Sequence, residues 1–210
     1  MHGVLVFPRA TAALVAAHVP RDAKLVAVDG GAEACLDAGI VPALVVGDMD
    51  SVSQATLAAL VARGARVERH PSAKRDTDAA LALAHMKDCD DVLFLGAGGG
   101  RADHALANLH LLAEVALRAD ARAIDEDAET WIATPARPLT LHLPSGALVS
   151  MIPFDAEVRG IAYEGLRYPL HDATMRAGDP YGVSNEAVAP MQRISVSAGR
   201  LIVMRPLLEG

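Results

Sequence analysis

Asp48 and Asp50 lie in the segment VVGDMDSVS, where a run of apolar residues ends in two acids separated by one methionine. In an extended chain, residues two apart point to the same side, so both carboxylates would face one point and Met49 would face away. Like charges this close repel each other unless a cation lies between them. Mg²⁺ suits such a pair because it takes one or two protein carboxylates and completes its shell with water and phosphate oxygens. The alternative is that one acid caps the helix that begins near Ser53.

A second acidic stretch, RDTD, comprises Arg75 to Asp78 and precedes the apolar helical run AALALAHM. Asp76 or Thr77 is a good N-cap for that helix, and Asp78 in the first turn suits the helix dipole. Capping explains these residues as well as a metal site does, so both interpretations stay open.

The segment GAGGGRADHALANLHLL differs from the common phosphate loops. A dinucleotide fingerprint would require glycine where Arg101 stands, and the chain has no Gly-Lys pair for a P-loop. Three consecutive glycines nevertheless leave backbone N–H groups open to an anion at a helix N-terminus. Arg101, His104 and Asn108 fall on one face of that helix. The pattern favours a phosphate-binding loop, and the alternative is a flexible turn before an exposed polar stripe.

These segments share a position in the predicted fold, because each follows a strand. Apolar β-rich runs (GVLVF, KLVAV, PALVVG, ARVERH and DVLFLG) alternate with runs rich in alanine and leucine. This alternation predicts an α/β domain with a doubly wound, mostly parallel sheet covered by helices on both faces. Ligands of such sheets bind outside the carboxyl ends of the strands. The loops DGG, GDMDS, PSAKRDTD and GAGGGRADH therefore outline one predicted site.

The helical signal ends near ATPARPL, where two prolines interrupt the pattern. We predict an α/β catalytic domain over residues 1–133 and a small antiparallel β-sandwich domain over 138–210. The second part contains the runs LTLHLP, GALVSMIPF, VRGIAYEG, QRISVSAG and RLIVMRPL, which are typical of antiparallel strands. A sheet domain of this size buries a limited core, so a partner subunit is expected. By residue type alone, Ser184-Asn185-Glu186 is a turn.

The composition is that of an ordinary globular protein: 210 residues, 52% hydrophobic and 21% charged. The formal net charge is -7, with the acidic excess within residues 1–130, which argues against nucleic acid as a partner. No apolar run approaches the roughly 20 residues of a membrane helix, and the first residues lack the pattern of a signal peptide. We therefore expect a cytoplasmic protein without a membrane partner, in which Cys35 and Cys89 are free thiols.

Six segments of the chain resemble the motifs of thiamine pyrophosphokinases in order and approximate spacing. They are DGGA, GDMDS, TD before a helix, GGRADHALANL, GLRYPL and GVSNE, and they span about Asp29 to Glu186. The resemblance implies an α/β catalytic domain joined to a β-sandwich, a homodimer with sites at the subunit junction, and transfer of pyrophosphate from Mg-ATP to thiamine. A pyrophosphokinase for another alcohol, such as a hydroxymethylpterin, and a regulator that binds nucleotide or thiamine without turnover are the alternatives.

The resemblance also implies roles for individual residues. The metal ligands would be Asp48, Asp50 and Asp78, and the catalytic residues Asp50, Asp78 and Asp103, with Asp103 accepting or orienting the hydroxyl proton. The residues that would bind ATP, the co-substrate, are Asp29, Gly30, Gly99, Gly100, Arg101, His104 and Asn108. Ser184 and Asn185 would bind thiamine.

The chain departs from the family pattern at one position of this set. Relatives commonly have Lys-Asp-x-Thr-Asp where this chain has Lys74-Arg75-Asp76-Thr77-Asp78. Either Asp76 supplies the missing carboxylate, or Arg75 contacts a phosphate directly. Both readings stay open from the sequence.

Overall fold

A computed structural model describes residues 1–179 and 181–207 of the protein. The chain divides into two compact units. The first unit comprises Met1–Leu112 and Ala119–Glu126, and the second comprises Ala113–Arg118 and the described residues from Asp127 onward. The division thus falls earlier than the predicted boundary after residue 133. Residues Ala128–Ala133 form a strand that pairs antiparallel with Leu201–Pro206, which explains why they belong to the second unit.

The first unit is built on a parallel sheet, as predicted. Its strands are β1 His2–Val6, β2 Lys24–Val28, β3 Leu44–Gly47, β4 Arg66–Arg69, β5 Asp91–Leu95 and β6 Asp120–Ile124. Its helices are α1 Ala12–His18, α2 Gly31–Asp37, α3 Gln54–Ala62, α4 Asp78–Leu83 and α5 Ala102–Val115, with a 3₁₀ turn at Ala84–Met86. The strands lie in the order β6-β5-β1-β2-β3-β4, and every neighbouring pair is parallel.

The strand order reverses between β1 and β5. From β1 the chain adds β2, β3 and β4 on one side, and it then returns to place β5 and β6 on the other side of β1. Side chains such as Leu5, Val45 and Phe94 are fully buried, because the central strands are covered on both faces. In open sheets, the connections that leave two such strands in opposite directions open a crevice at their carboxyl ends.

The second unit contains only antiparallel strand pairs among the described residues. Its strands are β7 Ala128–Ala133, β8 Leu139–Leu141, β9 Leu148–Pro153, β10 Glu157–Glu164, β11 Leu170–Arg176, β12 Asn185–Glu186, β13 Gln192–Ser195 and β14 Leu201–Pro206. One set pairs in the order β12-β9-β14-β7, and the other forms the separate sheet β11-β10-β13-β8. Met151 and Val203 of the first set share one buried core with Ile161, Tyr163 and Ile194 of the other.

This arrangement confirms the predicted antiparallel character of the second part of the chain. Three of its strands, β7, β11 and β12, were not predicted. β11 is largely exposed and lacks a regular apolar alternation, and β12 has only two residues. Cys35 and Cys89 are thiols outside any disulfide, as predicted, and both are buried. Among the described residues, no helix combines the length and the apolar character needed to cross a bilayer.

Candidate active site

A cleft of about 790 Å³ opens at the carboxyl edge of the parallel sheet in the first unit. Its walls come from the loops after β1 to β5 and from the first turns of α5. The predicted site residues that line it are Asp29, Asp48, Asp50, Asp78, Gly99, Arg101, Asp103, His104 and Asn108. Gly30 and Gly100 belong to the same loops but do not line the cleft. The loops at the strand tips therefore line one cleft.

Three aspartates form a cluster within this cleft. One carboxylate oxygen each of Asp29, Asp48 and Asp50 lies within 4.8 Å of the other two. Asp29 is buried, and Ser51 Oγ donates a hydrogen bond to its Oδ2, whereas its buried Oδ1 has no hydrogen-bond partner among the described residues. A buried carboxylate oxygen without a donor is the position that a bound cation would satisfy. Carboxylate oxygens are hard ligands of the kind that Mg²⁺ takes from proteins, so the ligand chemistry of the cluster suits this ion.

The backbone of GDMDS differs from the extended conformation that the sequence suggested. β3 ends at Gly47, Met49 adopts a left-handed φ of 66°, and the Asp50 N–H donates to Asp48 Oδ1 at 3.2 Å. The extended geometry assumed for this pair was therefore wrong, because this local hydrogen bond turns the chain after β3. Met49 still points away from the acids into the core, where it is 4% exposed. Asp29 also has a positive φ, of 44°. Such conformations cost free energy and concentrate at functional sites.

Neither acid of this pair caps the following helix. Ser53 is the N-cap of α3, and its Oγ accepts from the Thr56 N–H at 3.0 Å. Helix capping therefore does not explain Asp48 or Asp50, and their role as cation ligands stays a prediction.

The surroundings of Asp48 and Asp50 shift the pKa values of these two acids in opposite directions. The pKa of Asp50 is raised above its ordinary value, chiefly because the Asp48 carboxylate is close and also because Asp29 is near. The pKa of Asp48 is lowered, first by a hydrogen bond from the Ser72 side chain and further by the positive charge of Lys74. A cation bound here would relieve the repulsion that raises the pKa of Asp50.

Asp78 lies apart from the three clustered acids. Thr77 caps α4 by accepting from the Ala80 N–H at 3.2 Å, which confirms one of the two predicted caps. Asp78 forms an ion pair with Lys74 at 3.0 Å. The described cluster therefore contains Asp29 where the prediction had Asp78, and a metal-ligand role for Asp78 stays a prediction. Arg75 and Asp76 are both exposed and both line the cleft.

The glycine loop after β5 is held against the loop after β1. Gly96 has a φ of 72°, and a Cβ added there would lie 2.0 Å from the backbone nitrogen of Ala10, so no side chain fits. Gly99 and Gly100 also have positive φ, of 72° and 64°. Glycine adopts these conformations without a steric penalty, which is why the loop needs it at these positions.

Two side chains fix the other side of the glycine loop. The Gly98 N–H donates to Asp125 Oδ1 at 2.7 Å, and Asn108 Nδ2 donates to the Ala97 carbonyl at 2.8 Å. Asn108, predicted to bind the nucleotide, thus uses its amide N–H to shape the loop. A direct contact between Asn108 and a nucleotide stays a prediction.

Arg101 and Asp103 form an exposed ion pair at the start of α5. Arg101 Nη2 lies 2.7 Å from Asp103 Oδ2, and the two side chains are 72% and 65% exposed. The hydrogen bond from Arg101 is the main reason why the pKa of Asp103 falls to about 2. Because both side chains are exposed, the role of Asp103 in accepting or orienting the hydroxyl proton stays a prediction. His104 donates its backbone N–H to Asp103 Oδ1 at 3.0 Å.

The sequence analysis missed several residues of the cleft. Pro8 and Arg9, which follow β1, line it, as do Ser51, Ser72 and Lys74. The rule used for the other loops would have found Arg9, because the polar residues of FPRA directly follow the predicted strand GVLVF. The predicted site included the loops after the second to fifth strands but not the loop after the first strand.

The predicted thiamine residues lie in the second unit, where Ser184 ends a turn, as its residue type suggested, and Asn185 begins the short strand β12. Asn185 is buried, accepts from the Tyr168 N–H at 3.0 Å and donates to the Tyr168 carbonyl at 2.9 Å. Ser184 is exposed with a φ of 58°, and its N–H donates to Ser150 Oγ at 3.0 Å. Asn185 therefore positions the segment around Tyr168, whose ring is 66% exposed. Direct thiamine contacts of Ser184 and Asn185 stay predictions.

Comparison with known proteins agrees with the two-part organisation. The model of the thiamin pyrophosphokinase catalytic domain matches residues 17–124, and that of the thiamin pyrophosphokinase vitamin B1 binding domain matches residues 139–202. A thiamine pyrophosphokinase of Bacillus subtilis (strain 168) is 30% identical over 183 residues, which cover 86% of each chain.

Solved structures give the same result. The crystal structure of thiamine pyrophosphokinase from Bacillus subtilis has a TM-score of 0.87 to this chain at 27% identity, with 100% of both chains covered. That from Geobacillus thermodenitrificans has a TM-score of 0.83 at 26% identity, with 100% of this chain and 99% of the other covered. The chain belongs to the thiamine pyrophosphokinase family.

Proposed function

We propose that this protein transfers the terminal pyrophosphoryl group of ATP to the hydroxyethyl group of thiamine, giving thiamine diphosphate and AMP. The observation that carries the proposal is the cluster of Asp29, Asp48 and Asp50 in a cleft that also contains a glycine loop, in a chain of this family. In the reaction, a bond forms between the hydroxyethyl oxygen and the β-phosphorus. The bond from the β-phosphorus to the α,β-bridging oxygen breaks, AMP leaves with that oxygen, and the proton of the attacking hydroxyl is released to water.

The three clustered acids would hold Mg²⁺, which neutralises phosphate charge and orients phosphate oxygens when it is bound. Asp29 anchors the cluster because its neighbour Ser51 fixes one carboxylate oxygen and leaves the other free. Asp48 is kept ionised by the hydrogen bond from Ser72 and by Lys74.

The glycine loop would bind phosphate oxygens on the other side of the cleft. Asp125 and Asn108 fix its backbone, so its N–H groups are ordered before a nucleotide binds. Arg101 at the end of the loop adds positive charge. Phosphoryl transfer depends mainly on alignment and charge neutralisation, and a preordered loop supplies both.

Two observations favour thiamine as the acceptor over a hydroxymethylpterin. The vitamin B1 binding domain model matches residues 139–202, and the GVSNE segment lies in that range. Within this segment Asn185 fixes the backbone of Tyr168, an exposed aromatic residue, through two hydrogen bonds. We also propose that the protein is a cytoplasmic homodimer, and the molar mass in solution, measured by light scattering, tests the assembly.

A product assay tests the proposed reaction. Purified protein with Mg-ATP and thiamine is expected to form AMP and thiamine diphosphate in equal amounts, measured by ion-pair chromatography, and EDTA is expected to stop the reaction. Formation of ADP would contradict pyrophosphoryl transfer. A parallel reaction with hydroxymethylpterin tests the acceptor. Thermal stabilisation by thiamine and ATP without any product would identify a regulator instead.

A further inference from the structure

Arg9 occupies the crevice at which the strand order of the first unit reverses. It follows β1, and the backbone N–H of Phe7 donates to the Leu95 carbonyl at 2.9 Å, so the chain after β1 stays against the end of β5. The Arg9 side chain then runs along the glycine loop. A Cβ placed on Gly100 would lie 3.3 Å from Arg9 Cδ, and one placed on Gly99 would lie 4.0 Å from Arg9 Nε.

The charge of Arg9 is not neutralised by a neighbour. Two other cations of the cleft are paired, Arg101 with Asp103 at 2.7 Å and Lys74 with Asp78 at 3.0 Å. Within the described parts of the chain, the exposed Arg9 guanidinium has no hydrogen bond or ion pair. A planar guanidinium can bind a phosphate through two parallel hydrogen bonds.

The strand order decides which phosphate lies near Arg9. Across the sheet, β5, β1, β2 and β3 are successive neighbours. Their loops carry, in the same order, the glycine loop, Arg9, Asp29, and the pair Asp48 and Asp50. Phosphates held at the acid cluster therefore lie on the β2–β3 side, and the next phosphate along the chain of ATP falls on the β1–β5 side.

We propose that Arg9 binds the α-phosphate of ATP and of the AMP that leaves. This inference rests on the proposed function, and it assigns the β- and γ-phosphates, which are transferred together, to the acid cluster. When the bond between the β-phosphorus and the bridging oxygen breaks, negative charge develops on that oxygen, which remains on the α-phosphate. The guanidinium of Arg9 stabilises this charge without accepting or donating a proton.

Binding of AMP and of magnesium pyrophosphate to the full chain, measured separately by calorimetry, tests the assignment. Arg9→Ala is expected to weaken AMP binding about 10- to 100-fold, the loss of a charge-assisted contact, and to change pyrophosphate binding less than about threefold. Arg9→Lys is expected to recover part of the AMP affinity, since it keeps the charge but not the paired donors. Arg21→Ala is the matched control. Arg21 is exposed and precedes β2, so it lies at the amino-terminal ends of the parallel strands, whereas the cleft lies at their carboxyl ends.

Two results would overturn the inference. The first is that the wild type and Arg9→Ala bind AMP with the same affinity. The second is that Arg9→Ala loses affinity for AMP and for pyrophosphate to the same extent. An unchanged melting temperature, expected because Arg9 is exposed, excludes misfolding as the cause of any loss. The product assay distinguishes failure of this inference from failure of the proposed function. If Arg9→Ala forms AMP at the wild-type rate and binds AMP as the wild type does, only the role of Arg9 is rejected. If the wild type forms ADP, the proposed reaction itself is rejected.

Discussion

The polar residues of the cleft in the first unit and those of the second unit are bonded in opposite ways. In the cleft, Asp29 has a buried oxygen without a hydrogen-bond partner among the described residues, and Asp50 lies against two like charges. In the second unit, Asn185 bonds both the N–H and the carbonyl of Tyr168. The first arrangement is costly until a ligand binds, whereas the second is already satisfied.

Arg200 of the second unit contrasts with Arg9 of the cleft. It donates to Asp155 Oδ1 at 2.7 Å and to Glu114 Oε1 at 2.7 Å, and its guanidinium lies 4.5 Å from the centre of the Phe154 ring. Only 17% of its side chain is exposed, whereas Arg9 is exposed. Polar residues that form hydrogen bonds or ion pairs within the protein stabilise the fold or position a neighbour. Polar residues without such bonds are available to a ligand. Three substitutions test this distinction.

The largest effect is expected for Asp50→Asn. Loss of one cluster carboxylate should lower turnover by about 1000-fold or more, because the remaining acids would hold a cation poorly. The same change should raise the melting temperature in the absence of Mg²⁺, since it removes the repulsion from Asp48 and Asp29. Steady-state kinetics and thermal unfolding measure the two effects.

The matched control for this variant is Asp37→Asn, which alters an exposed aspartate at the end of α2. It should change neither the rate nor the melting temperature. Wild-type turnover by Asp50→Asn across a range of Mg²⁺ concentrations would show that the cluster does not serve the reaction.

A smaller loss is expected for Asn185→Ala. It leaves the N–H and carbonyl of Tyr168 without their partner, which should cost about 2 kcal/mol in the free energy of unfolding. The KM for thiamine should rise while the KM for ATP stays close to that of the wild type. Urea unfolding and kinetics with each substrate varied in turn measure these changes.

Ser184→Ala provides the comparison for Asn185. It keeps the backbone hydrogen bond to Ser150, so stability should be preserved. If Asn185→Ala raised the KM for thiamine without lowering stability, Asn185 would act as a direct ligand, and the distinction between committed and available residues would fail there.

The smallest effect is expected for Asp155→Asn, which should cost about 1–2 kcal/mol at pH 7 by weakening the contacts of Arg200. The hydrogen bond from Arg200 lowers the pKa of Asp155 below its ordinary value of 3.8. A carboxyl with a lowered pKa stabilises the folded state above that ordinary value and loses the contribution as the pH falls through the folded-state pKa. The difference between wild type and variant should therefore shrink below pH 3.8.

Urea unfolding at pH 7 and at pH 3 measures this convergence. Glu164→Gln is the control, because its 65% exposed side chain is 4.0 Å from Arg193, a separation at which a surface ion pair contributes little. A constant difference between wild type and Asp155→Asn at both pH values would exclude the ion pair with Arg200 as its source.

Much of this protein could be predicted from local sequence. Apolar runs such as KLVAV and DVLFLG mark the buried strands, and helical runs between them require a parallel sheet. Because all parallel strands end at one edge, polar residues after them must gather there. Asp48, Asp50 and Arg101 were found by this argument, and the family motifs added Ser184 and Asn185.

Tertiary structure decided which of these residues meet and what their side chains do. Asp29 joins the acids of β3 because β2 and β3 are neighbours, and Arg9 meets the glycine loop because β1 lies beside β5. Asn185 is committed to Tyr168, 17 positions away. Hydrophobic periodicity acts over a few residues and so fixes strands and helices, whereas the order of strands and the partners of polar groups depend on contacts between distant parts of the chain.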